Sequence, residues 1–146
     1  TAFANASYIK SKVELNSLGL NSRPLQGQSP YLINAGLQYA NEKSGVSITA
    51  LYNRIGERIA FVGNSLIPNI WENSRNVIDF QISKKLIKNR AELKLNIGDV
   101  LNQKSIFYLN MDDKNVYSPN IDKQYTSTRF GTNFTLGFNY NFSLTK

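Results

Sequence analysis

Six stretches of the chain alternate apolar and polar side chains with a period of two, the mark of a strand whose faces meet different environments. The first, Ala2 to Leu15, alternates weakly: Tyr8, Lys10, Lys12 and Glu14 share one face, and Ile9, Val13 and Leu15 the other. The second, Tyr31 to Ala40, sets Tyr31, Ile33, Ala35, Leu37 and Tyr39 against Asn34, Gly36 and Gln38, with Leu32 the exception. The third, Val46 to Ile55, sets Val46, Ile48, Ala50 and Tyr52 against Ser47, Thr49, Leu51 and Asn53. Ile78, Phe80 and Ile82 alternate with Val77, Asp79, Gln81 and Ser83 in the fourth, Asn76 to Lys84. In the fifth, Arg90 to Val100, Ala91, Leu93, Leu95 and Ile97 oppose Glu92, Lys94, Asn96 and Gly98. The sixth, Phe130 to Phe142, is the cleanest: Phe134, Leu136, Phe138, Tyr140 and Phe142 alternate with Asn133, Thr135, Gly137, Asn139 and Asn141.

The connections alternate as well. Asn16 to Ser29, Gly56 to Ser74 and Leu101 to Thr128 are long, whereas Asn41 to Gly45 and Lys85 to Asn89 are short. Within the last long connection, Ile106 to Leu109 reads as a short strand extension. Strands of about 10 residues, short turns at one end and long loops at the other are the pattern of an antiparallel transmembrane β-barrel. A soluble antiparallel sheet also alternates. Against it stand the Tyr and Phe near the strand ends and the Asn and Gly of the polar faces, where a soluble exterior would carry Lys and Glu. Six strands are too few to close, because such barrels have at least ~8. Partner strands are therefore expected from outside these residues, since an open edge in lipid leaves backbone groups unpaired. The opening Thr1-Ala2-Phe3-Ala4-Asn5-Ala6 is strand-like, with no initiator Met and no charged leader, so a processed chain or a piece of a longer one is expected.

Composition narrows the chemistry. The chain has 146 residues with no cysteine and no histidine. His-dependent triads, thiolate metal sites and disulfides are thereby removed. No run approaches the ~20 apolar residues of a membrane-spanning helix, which leaves a barrel open. The net charge is +7, but outside Lys84, Lys85, Lys88 and Arg90 the basic residues are scattered. No nucleic-acid-binding signature accompanies them, and no nucleic-acid partner is expected. There is no phosphate loop or dinucleotide fingerprint. No enzyme activity and no cofactor are expected.

Four segments in order resemble the late barrel of TonB-dependent outer-membrane receptors of the Bacteroidota type: Arg23 to Tyr39, Leu51 to Ile59, Arg75 to Lys85, and Asp99-Val-Leu-Asn-Gln103. The resemblance spans nearly the whole of residues 1–146. It implies an all-β chain forming about six strands of a larger, 22-stranded barrel, with the plug domain absent. It also implies a bacterial outer-membrane location with the C-terminus on the periplasmic side, and import of a bulky nutrient such as an iron chelate, vitamin, glycan or peptide. Implied partners are the remaining strands and plug of the same receptor, the lipid bilayer, the TonB system, the barrel-assembly machinery and a surface lipoprotein lid. Thr135, Gly137, Tyr140 and Phe142 match the family's barrel-assembly signal, with Tyr140 and Phe142 at the periplasmic interface; Ser143 to Lys146 depart from it by extending past the aromatic. Two alternatives stay open: a soluble antiparallel β binding module, and a barrel fragment held as a client of the assembly machinery.

Other candidates weigh less. Asp112-Asp113 with Asp122 suggest calcium, but without an EF-hand spacing solvated loop carboxylates are favoured and no metal is expected. Glu57 beside Arg58, and Asp79, read as structural or lumen-wetting charges. The sequons at Asn5, Asn133 and Asn141 fall within expected strands and are discounted. Ile59, Phe61 and Trp71, in the second long connection, are candidate contacts to substrate or a lid, with loop self-packing the favoured alternative.

Overall fold

The computed structural model describes residues 1–14, 22–64, 66–112, 114 and 116–142. It is all-β. Ten strands occur among the described residues: β1 (Ala2–Tyr8), β2 (Tyr31–Asn41), β3 (Val46–Ile55), β4 (Arg58–Phe61), β5 (Ile70–Glu72), β6 (Arg75–Leu86), β7 (Ala91–Gly98), β8 (Ser105–Leu109), β9 (Lys123–Thr128) and β10 (Asn133–Tyr140). All pairings between them are antiparallel. A six-stranded sheet has the order β1-β2-β3-β6-β7-β10, and a four-stranded sheet the order β4-β5-β8-β9. The wide sheet is open: β1 and β10 lie at its two ends and do not pair with each other.

The small sheet repeats the order of the wide one for a covalent reason. β4 follows β3 after Gly56-Glu57, and β5 precedes β6 by Asn73-Ser74. β8 follows β7 after residues 99–104, and β9 precedes β10 by residues 129–132. Each short strand thus continues a long one across a break, and the four breaks fall side by side.

The expected strands lie where the alternation puts them, with shifts at their ends. β1 stops at Tyr8, where the alternation extends to Leu15; Ile9 instead donates its amide to the Pro30 carbonyl, and Val13 makes an isolated bridge with Arg23. Leu15 itself lies outside the described residues. The connections at 56–74 and 101–128 contain four strands where long loops were expected, apart from Ile106 to Leu109, which does fall within β8. β6 continues through Leu86, and Ile87, Lys88 and Asn89 then turn the chain with φ of 50°, 50° and 67°. The short turn expected at Lys85 to Asn89 is therefore present, and only Asn among these residues favours the left-handed region, so its backbone conformation carries no glycine signal. The other short turn has the expected device: Gly45 at φ 67°, with Asn41 Oδ1 accepting the Ser44 amide.

Most of the closed packing sits in the small sheet. Ile59, Trp71 and Tyr108 are buried there in one cluster, with Tyr117 against it. They are neighbours because Ile59 pairs with Trp71 and Trp71 with Tyr108 across three strands. The Tyr108 and Tyr117 rings lie 5.1 Å apart. In the wide sheet, Ala91 is the one buried hydrophobic residue among those described. Truncating Ile59 to Ala therefore empties space in a small core that has no second layer to collapse into it. We expect a loss of about 2–4 kcal/mol, read from the denaturation midpoint of Trp71 fluorescence.

Candidate functional site

The register assigns every side chain of the wide sheet to a face. Ala4 pairs with Ala35, Ala35 with Tyr52, and Tyr52 with Ile78. Farther along, Phe80 pairs with Ile97 and Ile97 with Phe134. Extending the rows, β2 contributes Ile33 and Leu37 to this face, β3 Ile48 and Ala50, β6 Ile82, β7 Leu93 and Leu95, and β10 Leu136 and Phe138. The apolar face is continuous over all six strands, and nothing described covers it. Phe134, Leu136 and Phe138 are each more than 60% exposed. A contiguous bare apolar face of this breadth needs an apolar surrounding or a partner, because soluble monomers expose only small patches.

Aromatic and basic side chains bound this face. At the short-turn end are Tyr39, Lys84 and Tyr140, and the Tyr140 ring meets Phe142 edge-on at 4.6 Å. At the other end, Tyr8 pairs with Tyr31, and Arg54 lies beside them. Arg54 donates to Tyr31 Oη (3.2 Å), Asn76 Oδ1 (3.0 Å) and Ser74 Oγ (3.1 Å), and Tyr52 Oη donates to Asn76 Oδ1 at 2.8 Å. The Asn76 amide in turn donates to Gln103 Oε1.

The opposite face is polar. Asn5, Asn34 and Asn53 stand in one row across β1, β2 and β3. Their amides form a ladder: Asn34 Nδ2 donates to Asn5 Oδ1 at 2.9 Å and Asn53 Nδ2 to Asn34 Oδ1 at 2.6 Å. Thr49, Gln81, Asn96 and Thr135 form a second row, and Ser47, Ser83, Lys94 and Gly137 a third. Apolar side chains interrupt this face, Leu32, Leu51, Ile55 and Val77 among them, and the Phe3 ring covers Gly36, occupying the place a Cβ would take.

Where the wide sheet meets the small one, a polar belt satisfies the breaks. Arg75 Nη1 donates to Asp99 Oδ2 at 2.9 Å, and the Arg75 guanidinium stands 5.8 Å from the Phe130 ring centre. Asp79 Oδ1 accepts the Asp99 amide at 2.8 Å. Thr132 Oγ1 donates to the Asp99 carbonyl, and Asn102 Oδ1 accepts the Gly131 amide. Asp99 and Asn102 both have left-handed φ, 51° and 46°, a region these two residue types tolerate. The Asp99-to-Gln103 element singled out in the sequence is therefore the turn that closes β7 and leads into β8. Arg58 and Glu72 form a further pair at 2.7 Å on the small sheet.

The remaining candidates separate. Trp71 is 8% exposed within the small-sheet core, and Phe61 is 57% exposed at the end of β4. Thr135, Gly137 and Tyr140 lie on β10, an edge of the wide sheet, and Phe142 follows it. A Cβ at Gly137 would meet nothing nearer than the Lys94 carbonyl at 3.9 Å, so no contact within this sheet requires glycine there. Asp122 is buried, and its two oxygens accept the Met111 and Ser118 amides at 2.8 and 2.7 Å. It thus clamps the loop before β9. Asp112 accepts from the Lys114 amide and Ser118 Oγ, and Asp113 lies outside the described residues. Among the described residues no cluster of three or more metal-ligating side chains occurs. The asparagine ladder was not singled out in the sequence, and the Asp99-to-Gln103 element was singled out without its partners Arg75 and Thr132. Only the pairing register, which brings Asn34 beside both Asn5 and Asn53, makes the ladder visible.

Comparison of the chain with protein-family models, curated proteins and solved structures yields no match.

Burial pushes the Tyr108 hydroxyl above its ordinary value, and repulsion from Asp122, Glu57 and Asp112 adds to the shift. The folded state therefore keeps this proton at a pH where the unfolded chain releases it. Stability from this group is unchanged below about pH 10 and falls above it, because ionisation then favours the unfolded state. Unfolding of the small sheet, followed by Trp71 fluorescence, is expected to become easier from pH 9 to 11. The slope is expected to flatten in Tyr108→Phe.

Proposed function

We propose that the chain forms consecutive strands of an outer-membrane β-barrel, specifically the C-terminal strands of a TonB-dependent transporter that imports a bulky nutrient. The observation that carries the barrel reading is the uncovered apolar face running across six antiparallel strands, backed by a face of Asn, Gln, Thr and Ser. From Tyr31 to Tyr39 this face runs roughly 27 Å along the strand, which at a tilt of about 35–45° spans about 19–22 Å between the two tyrosines and fits within the ~25 Å apolar band of such barrels. The aromatic and basic side chains at both ends match interfacial girdles. The transporter family rests on the resemblance of the four ordered segments.

In this reading the polar face lines the lumen, the short turns face the periplasm, and the small sheet stands outside the bilayer on the extracellular side. The open edges of β1 and β10 take up neighbouring strands of the same barrel, because an unpaired amide in hydrocarbon costs several kcal/mol. Thr135, Gly137, Tyr140 and Phe142 serve the assembly machinery as its recognition strand. The plug, the TonB system and a surface lipoprotein lid complete the transporter, and the chain carries no catalysis of its own.

The test is folding of the chain in plain buffer and in detergent micelles, followed by circular dichroism and size-exclusion chromatography. The barrel reading expects association or loss of structure in buffer and strand structure in micelles. A compact monomer that melts cooperatively in plain buffer would contradict it and favour a soluble β module.

A further inference from the structure

A cavity of about 140 Å³ lies where the end of β1, the segment before β2 and the small sheet meet. Its walls include Tyr8, Lys10, Gln28, Glu57 and Trp71. Glu57 is 6% exposed, and among the described residues no hydrogen bond or ion pair reaches its carboxylate. Gln28 Oε1 is buried and has no hydrogen-bond partner either. Two acceptors, one of them anionic, thus border the same small space, and the Lys10 ammonium that also lines it makes no hydrogen bond to either. A buried acceptor such as Gln28 Oε1 is nearly always satisfied, and the Glu57 carboxylate, in a residue 6% exposed, adds to the same space a negative charge that the more distant Arg54 charge faces.

We propose that this cavity binds a primary ammonium group. An ammonium brings a positive charge and three N–H donors, enough for the Glu57 carboxylate and Gln28 Oε1. The volume holds only a few water-sized groups, at about 30 Å³ each, so it suits a small aminoalkyl head. The Tyr8 and Trp71 side chains supply aromatic walls, which favour a cation. A quaternary ammonium lacks N–H donors and leaves both acceptors unsatisfied. This assignment stands on the cavity alone. One source of the ammonium, an ethanolamine lipid headgroup, rests in addition on the membrane reading, since Tyr8 and Tyr31 bound the apolar face beside the site. A free amine is the other source.

The chain carries a single tryptophan, and it lines the cavity. Trp71 fluorescence of the micelle-held chain, titrated with ethanolamine and with choline, is the experiment. Saturable change with ethanolamine and none with choline is expected. Glu57→Gln, which keeps the side-chain shape, is expected to weaken the response at least about tenfold, the loss of a charge-assisted hydrogen bond. Gln28→Met is expected to weaken it less. Circular dichroism of each variant separates misfolding from lost binding, and if one variant misfolds, the other decides. Replacing phosphatidylcholine with phosphatidylethanolamine in mixed micelles tests the lipid source: a response there as well as to the free amine identifies the headgroup, and a response to the free amine alone identifies a soluble ligand. Equal responses to choline and ethanolamine, or none to either amine source, would overturn the proposal. So would a response that appears only in Lys10→Ala, because the chain's own ammonium would then be the occupant. Failure of the membrane reading would show instead as a soluble monomer in buffer, with the ethanolamine response intact.

Discussion

A backbone amide that leaves water has to find another hydrogen-bonding partner, and in a wide sheet it finds one only in a neighbouring strand. That requirement fixes much of this molecule. The six long strands satisfy one another in a strict antiparallel register, from Ala2 against Leu37 at one side to Asn133 against Gly98 at the other. Pairing in register then forces residues of the same parity onto one face. Because the sequences alternate, one face becomes apolar from end to end, and the other collects the asparagines that bond to each other between strands. In the described structure this sheet has no second layer on its apolar face. Its stability accordingly depends on what lies against that face, which is the physical basis of the membrane reading.

The small sheet obeys a different logic. Its strands are covalent continuations of the long ones, yet it encloses a core of its own, with Ile59, Trp71 and Tyr108 in one row and Tyr117 packed on them. Between the two sheets the ladders break, and groups freed at the breaks are taken up by side chains: the Asp99 amide by Asp79 and its carbonyl by Thr132, the Gly131 amide by Asn102, the Asn76 amide by Gln103. Arg54 and Tyr52 tie the same belt to the end of the apolar face. Polar groups concentrated at this level mark a change of environment along the strands. Below it the apolar side chains lie open, and above it Ile59, Trp71 and Tyr108 are enclosed while others such as Phe61 and Tyr125 stay exposed.

Much of the wide sheet was legible in the sequence because period-two alternation is a local signal. β3 coincides with its expected span, and β2, β6, β7 and β10 differ by a few residues at the ends. The misses have physical reasons. β4 and β5 are four and three residues long, too short for alternation to register, and Gly63, Asn64 and Pro68 nearby read as loop chemistry. The short turn expected at Lys85 to Asn89, by contrast, is present, and it adopts left-handed backbone without glycine. Beyond Tyr8 the chain leaves β2, so the weak alternation of Lys10, Lys12 and Glu14 had no sheet behind it. The sites were less legible still. Trp71 stood out as the lone tryptophan, but its burial depends on pairing with Ile59 and Tyr108 from separate parts of the chain. Glu57 looked like a wetting charge because its neighbour in sequence is Arg58; in the fold Arg58 pairs with Glu72, which leaves Glu57 to the cavity.

The central claim is that the two faces of the wide sheet meet lipid and water. The chain has no cysteine, so single cysteines can be placed and spin-labelled without background. The decisive measurement is the accessibility of labels at successive positions of β7, from Leu93 to Ile97, to oxygen and to a water-soluble nickel chelate in lipid vesicles. Labels at positions 93, 95 and 97 are expected to collide mainly with oxygen, which concentrates in hydrocarbon. Labels at 94 and 96 are predicted to collide mainly with the chelate. Equal chelate accessibility at all five positions, or the opposite alternation, would contradict that claim.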